Sequence, residues 1–238
     1  MNVNCKQLPP FLPNHRALCR LLYLDRKFFL SNPQTDGVFS KRFVIPRPGT
    51  GKTITVIECI SQILIKNPRA KVLACAPSNS AADLIAYRLR RHLSTDELFR
   101  FYAPSRYKEQ VLDDLRPYTF TDNGHFSVPM MGSLQNFRVI VSTCVSASVF
   151  SGIGMARGHF THIFIDEAGQ ATEPETFVSI KTLADRKTNV ILSGDPKQLG
   201  PVIQSGIARS LGLEKSYLER LMGRDPYKIE AGLGDRRR

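Results

Sequence analysis

The stretch Gly49-Thr50-Gly51-Lys52-Thr53 has the residue types and the spacing of a phosphate cradle. Glycines let a loop pass close to an anion, and N–H groups at the start of the following helix point at it. Lys52 adds a positive charge, and the Thr53 hydroxyl suits a magnesium ion. A second group, Asp166-Glu167, closes the apolar run Ile163-Phe164-Ile165. Beside a phosphate loop, an aspartate so placed completes a magnesium site, and the next carboxylate orients or deprotonates an attacking water. A third group, Gly194-Asp195-Pro196-Lys197-Gln198, follows another apolar run and gives Gln198 an amide able to sense a γ-phosphate. Alone, Asp-Glu and Gly-Asp-Pro are ordinary turn chemistry. Their joint occurrence after a phosphate loop points to magnesium-dependent hydrolysis of a nucleoside triphosphate.

Such residues act only if a scaffold gathers them. Five β-type runs, 42–45, 71–76, 138–142, 162–165 and 189–192, punctuate the chain. All but the first are near-continuous apolar blocks, which suits parallel strands buried on both faces. A helical run over 52–66 separates the first two. Ser78-Asn79-Ser80 then offers N-cap chemistry to a helix with Ile85, Leu89 and Leu93 on one face. This alternation predicts an α/β fold with a mostly parallel sheet flanked by helices and right-handed crossovers. Residues 1–40 read as an N-terminal extension with a helix over 16–24, residues 41–222 as one domain, and residues 223–238 as a basic tail. Within the domain, 94–137 mix Pro, Gly, Asp and Tyr without a period and read as an irregular insertion; 210–222 read as a helix. Each candidate group follows a strand, including Ala76-Pro77-Ser78-Asn79-Ser80 and Val141-Ser142-Thr143-Cys144. Open α/β sheets bind ligands at that edge.

Composition narrows the class. At 238 residues, 42% of them hydrophobic, the chain has ample material for a core. No apolar run approaches the ~20 residues needed to span a bilayer. The five scattered cysteines read as reduced thiols of an intracellular protein, and Cys5, His15 and Cys19 lack the pairing of a metal cluster. Lys and Arg outnumber Asp and Glu by 19 to 9 in residues 1–119 but only by 14 to 12 in 120–238. A basic excess so concentrated favours a polyanionic partner. Arg88, Arg90 and Arg91 read as a solvated face, and Phe99, Phe101, Tyr102 and Tyr107 as packing groups rather than base-stacking ones.

Taken together, Pro48-Gly49-Thr50-Gly51-Lys52-Thr53, Cys75-Ala76-Pro77-Ser78-Asn79-Ser80, Asp166-Glu167-Ala168-Gly169-Gln170 and Gly194-Asp195-Pro196-Lys197-Gln198-Leu199-Gly200-Pro201 resemble motifs I, Ia, II and III of superfamily 1 helicases. The Up-frameshift-like branch is the nearest. Within it, Phe160 to Gln170, Glu173-Pro174-Glu175, Ser216-Tyr217-Leu218-Glu219-Arg220-Leu221 and Phe101-Tyr102-Ala103-Pro104-Ser105-Arg106 resemble the Mov-ten and Armitage group of RNA helicases. The likeness covers 42–222 and implies the first RecA-like P-loop NTPase domain of an ATP-dependent RNA helicase. It implies ATP and Mg2+ as cofactors, with Gly49, Thr50, Gly51, Lys52 and Thr53 around the phosphates. Thr53 and Asp166 would hold the metal, Glu167 would be the catalytic base, and Lys52 and Gln198 would contact or report the γ-phosphate. Ser78, Asn79 and Thr143 would lie along the backbone of single-stranded RNA. The same likeness implies cytoplasmic ribonucleoprotein granules and small-RNA silencing proteins as partners, with no membrane.

The chain departs from the family pattern at Pro46 and Arg47, where the family loop has Gly-Pro. Proline lacks an N–H and fixes φ, so weakened rather than abolished nucleotide binding is expected. No glutamine motif for adenine precedes the loop. Residues 223–238 are too few for a second RecA-like domain, and Arg236 to Arg238 read as a tail rather than an arginine finger. An arginine finger is worth on the order of 10³–10⁵ in rate, so the chain alone is expected to be a weak or inactive ATPase. Two alternatives stay open: a non-catalytic ATP- or RNA-binding module or partial gene product, and a DNA helicase component of the same superfamily. A GTPase is disfavoured, because no Asn-Lys-x-Asp motif occurs.

Overall fold

The computed structural model describes residues 41–44, 51–195 and 199–224. Pro46, Arg47, Gly49, Thr50, Gln198, the helix expected over 16–24 and the tail beyond 224 lie outside the described residues. Strand β1 (Lys41–Val44) is followed by helix α1 (Lys52–Lys66), β2 (Val72–Ala76) and α2 (Asn79–Leu89). After β3 (Leu98–Arg100) come a small hairpin, β4 (Thr121–Asp122) and β5 (His125–Phe126), and the short α3 (Met131–Asn136). The alternation then resumes with β6 (Val139–Thr143), α4 (Ser148–Gly152), β7 (His162–Ile165), α5 (Glu173–Leu183) and β8 (Asn189–Ser193). Helices α6 (Gly206–Ser210) and α7 (Tyr217–Met222) end the described chain.

Six strands form one parallel sheet in the order β1-β8-β7-β2-β6-β3. The apolar blocks are two-sided, as their composition requires. Along β2, Val72, Ala74 and Ala76 pack with α1 and α2, whereas Leu73 and Cys75 pack with α5 and α7 on the other face. The same alternation splits Ile140 from Val139 and Val141 in β6, and Phe164 from Ile163 and Ile165 in β7. Period two persists even where every residue is buried, because successive side chains leave a strand on opposite sides. The result is the RecA-like α/β layering expected. No helix among the described residues is long and apolar enough to cross a membrane.

Three features differ from the sequence expectation. Residues 94–137 are largely irregular, yet they contribute β3, which pairs with β6 through Leu98↔Val139 and Arg100↔Val141. A three-residue strand carrying a charge has too little period to stand out. The expected helix over 210–222 is broken: α6 stops at Ser210, and α7 starts only at Tyr217. Gly212, at φ 87°, ends the first, and the Ser216 hydroxyl starts the second by accepting from the Glu219 N–H at 3.1 Å. Leu93 lies beyond the end of α2, but its turn returns it to the same cluster as Ile85 and Leu89.

Candidate functional site

The strand order sorts the candidate residues into two neighbouring groups on the C-terminal edge of the sheet. Strands β1, β8 and β7 are adjacent, so the exits of β8 and β7 bring Asp195 and the Asp166-Glu167 pair together beside the end of β1. Strands β2 and β6 are also adjacent, with Ala76 beside Thr143 in register, so the Ser78-Asn79 turn and Thr143 are neighbours.

In the first group, Gly51 sits at φ 80° and ψ 41°, a left-handed conformation that glycine adopts without penalty. It offers no side-chain cap to α1, and the first turn of that helix carries no acidic residue. Uncapped by a side chain among the described residues, the helix start offers N–H groups and a positive dipole end suited to an anion. Lys52 is buried and Thr53 half-buried at this end. Across the edge, Asp166 is 1% exposed; its backbone N–H donates to the Cys75 carbonyl at 2.9 Å, while its side-chain Oδ1 has no hydrogen-bond partner among the described residues. A buried carboxylate oxygen left open is what a hard cation takes as a ligand. No cluster of three or more His, Cys, Asp or Glu forms a metal site among the described residues. Magnesium suits this sparse donor set, because it is commonly held by one or two carboxylates together with substrate phosphates.

Glu167 adopts φ 52°, which is unusual outside glycine and found at functional turns. Burial, and next the Asp166 charge, hold its carboxyl above the ordinary range; Lys52 pulls it down and Asp195 adds a further push upward. Lys52, Asp166, Glu167 and Asp195 thus share one electrostatic neighbourhood. The β7 and β8 exits touch through their backbones, with the Ala168 N–H donating to the Ser193 carbonyl at 2.8 Å. A Cβ on Gly169 would stand 2.7 Å from the Asp195 carbonyl oxygen. Gly169→Ala is therefore expected to cost about 1–3 kcal/mol by forcing the two loops apart. Urea denaturation checks this, and a variant as stable as the parent would show that the loops give way freely.

In the second group, the hydroxyls already serve the fold. Ser78 Oγ caps α2 by accepting from the Ala81 N–H at 3.2 Å, and Thr143 Oγ1 accepts from the Ser146 N–H at 3.2 Å. The aromatic residues Phe99, Phe101 and Tyr102 are buried, as their reading as packing groups requires, and Tyr107 is exposed. Sequence reasoning missed the buried polar network behind this group. Arg100 is fully buried at the end of β3. Its Nε and Nη2 lie 2.9 and 2.8 Å from Asp83 Oδ1, and Nη2 also donates to Asn79 Oδ1 at 3.0 Å. Its guanidinium stands 4.0 Å from the centre of the Tyr102 ring, whose hydroxyl donates to Asp83 at 2.7 Å. Burial pushes that phenol above its ordinary range. The available signal was a lone charge inside Leu98-Phe99-Arg100-Phe101-Tyr102, since a cation in an apolar run needs a buried partner.

A family model described as an AAA domain matches residues 26–125 and 130–206. RNA helicase Mov10l1 of Homo sapiens is 44% identical over 183 residues, covering 76% of this chain and 15% of its own length. Probable RNA helicase armi of Drosophila melanogaster is 36% identical over 200 residues, covering 76% of this chain and 17% of its own. The chain thus spans less than a fifth of the length of these relatives. A solved structure of S. cerevisiae dbp5, bound to nup159, gle1, IP6 and ADP, superposes with a TM-score of 0.44 at 17% identity, covering 82% of this chain and 43% of that one. With the AAA domain model matched over well more than half its residues, the chain belongs to that family, and it resembles the superfamily 1 RNA helicases of the Mov-ten and Armitage group.

Proposed function

We propose that this chain is the first motor domain of an ATP-dependent RNA helicase, coupling ATP binding and hydrolysis to a grip on single-stranded RNA. The observation that carries the reading is Asp166: a buried carboxylate with an open Oδ1, beside Glu167, whose carboxyl in turn feels the Lys52 charge. Lys52, Thr53 and the N–H groups at the start of α1 would hold the phosphates, and Thr53 and Asp166 would hold the magnesium ion. The ion would neutralise charge on the β- and γ-phosphates, while Glu167 accepts a proton from water. Ser78, Asn79 and Thr143 form the neighbouring RNA-facing group. RNA is preferred to DNA because the relatives are named as RNA helicases. Turnover would also need a second RecA-like domain to close over the nucleotide.

Magnesium and ATP together are expected to raise the melting temperature of the chain. At a hundred times Kd the gain is about 2.7 kcal/mol, which for a domain of this size is roughly 5–10 °C. Lys52→Ala should remove most of it. No shift with millimolar magnesium-ATP would sink the nucleotide reading. A normal shift with no hydrolysis, even with a second motor domain in cis, would favour a non-catalytic module, which Pro46 and Arg47 at the loop entrance support.

A further inference from the structure

Arginine carries five hydrogen-bond donors and no acceptor. The Asn79 side-chain atom 3.0 Å from Arg100 Nη2 is therefore its oxygen, and Arg100 decides which way the amide faces. Arg100 has no freedom to turn away. It is fully buried, doubly held by Asp83, stacked on Tyr102, and its Nη1 donates to the Phe101 carbonyl. With Oδ1 turned inward, Asn79 Nδ2 faces outward. Asn79 is half-buried and makes its side-chain hydrogen bond only through Oδ1 among the described residues, which leaves Nδ2 without a protein partner there.

Asn79 lines an open cleft of about 630 Å³ together with Ser80, Asp83, Tyr87 and Arg106. That volume is in the range of small-molecule binding clefts. The Asp83 charge is already matched by Arg100, so the net electrostatic bias of this wall comes from the Arg106 guanidinium, which also donates to the Gln110 carbonyl at 3.2 Å. A fixed amide donor beside a cation suits an acceptor-rich anion. We infer that Arg100 is a positioning residue that holds the Asn79 Nδ2 donor toward an acceptor oxygen of an RNA backbone, phosphate or ribose. This rests on the proposed RNA-binding reading and adds to it the donor atom and the buried residue that aims it.

The test titrates single-stranded RNA and DNA of one sequence, at fixed salt, against the full chain and its variants by fluorescence anisotropy, with melting temperatures alongside. Asn79→Asp keeps the oxygen that faces Arg100 and replaces Nδ2 by a second, negatively charged acceptor. Its melting temperature is expected to hold or rise, since the buried guanidinium gains a carboxylate, while RNA affinity falls by about tenfold or more. A merely structural role would move both quantities the same way. Arg100→Lys is expected to weaken RNA binding about fivefold in the parent chain and less than twofold in an Asn79→Ala background, because the two act as one unit. Equal losses on RNA and DNA identify a phosphate oxygen as the acceptor, and a loss on RNA alone identifies the ribose hydroxyl. Asn79→Asp binding RNA within twofold of the parent, or Arg100→Lys costing the same in both backgrounds, overturns the inference while leaving the RNA reading intact. A parent chain that binds neither polymer overturns both.

Discussion

Glu167→Gln is expected to lower RNA-stimulated ATP turnover by on the order of 10²–10⁴ while ATP affinity stays within about threefold. The amide matches the carboxylate in shape but cannot accept the proton of an attacking water. Its burial and its neighbour Asp166 hold the Glu167 carboxyl above the ordinary range. A carboxylate so shifted is a stronger base nearer to working pH than one in free solvent. Its φ of 52° adds a second reason to expect a chemical role, since a side chain is kept in that region only where its surroundings fix it. Phosphate release is to be measured in the chain joined in cis to a second RecA-like domain, with affinity read from a fluorescent ATP analogue. Turnover within threefold of the parent would remove Glu167 as the base. A parallel loss of affinity would instead assign it to ground-state binding.

The apolar blocks at 71–76, 138–142, 162–165 and 189–192 made four of the six sheet strands plain, because strands buried on both faces leave an unbroken hydrophobic trace. The first strand was legible only through its position before the glycines. Strand β3 was not legible at all: it holds three residues, and Arg100 interrupts its apolar character. Strand order was equally hidden, since β6 enters between β2 and β3 after a detour of nearly forty residues. That order is what separates the Asp166-Glu167 group from the Ser78-Asn79-Thr143 group. At the site, motif chemistry picked out Lys52 and Asp166 from residue type and spacing. It could not show that Ser78 and Thr143 are occupied in capping their own turns. Nor could it show that Asn79 is steered by a residue 21 positions further on. Such couplings depend on three-dimensional register, to which local periodicity is blind.

Asp83→Ala is expected to cost about 3–5 kcal/mol, the range seen when one partner of a buried ion pair is removed. For a domain of this size that is a fall in melting temperature of roughly 6–20 °C. Arg100 has no exposed surface, and Asp83 is the only carboxylate paired with it among the described residues. Removing that carboxylate leaves a guanidinium without its counter-charge and the Tyr102 hydroxyl without its acceptor. The replacement pair Asp83→Leu with Arg100→Met removes both charges together and is expected to recover part of the lost stability, since apolar groups of similar volume often substitute for a buried pair, while the Tyr102 hydroxyl still lacks its acceptor. Thermal and urea melts of the single and double variants decide this, and an Asp83→Ala chain within 1 kcal/mol of the parent would mean that water reaches Arg100. The double variant also separates folding from function. It keeps no unpaired buried charge, yet nothing in it donates to Asn79 Oδ1, so it should melt above Asp83→Ala and still bind RNA as weakly as Asn79→Ala.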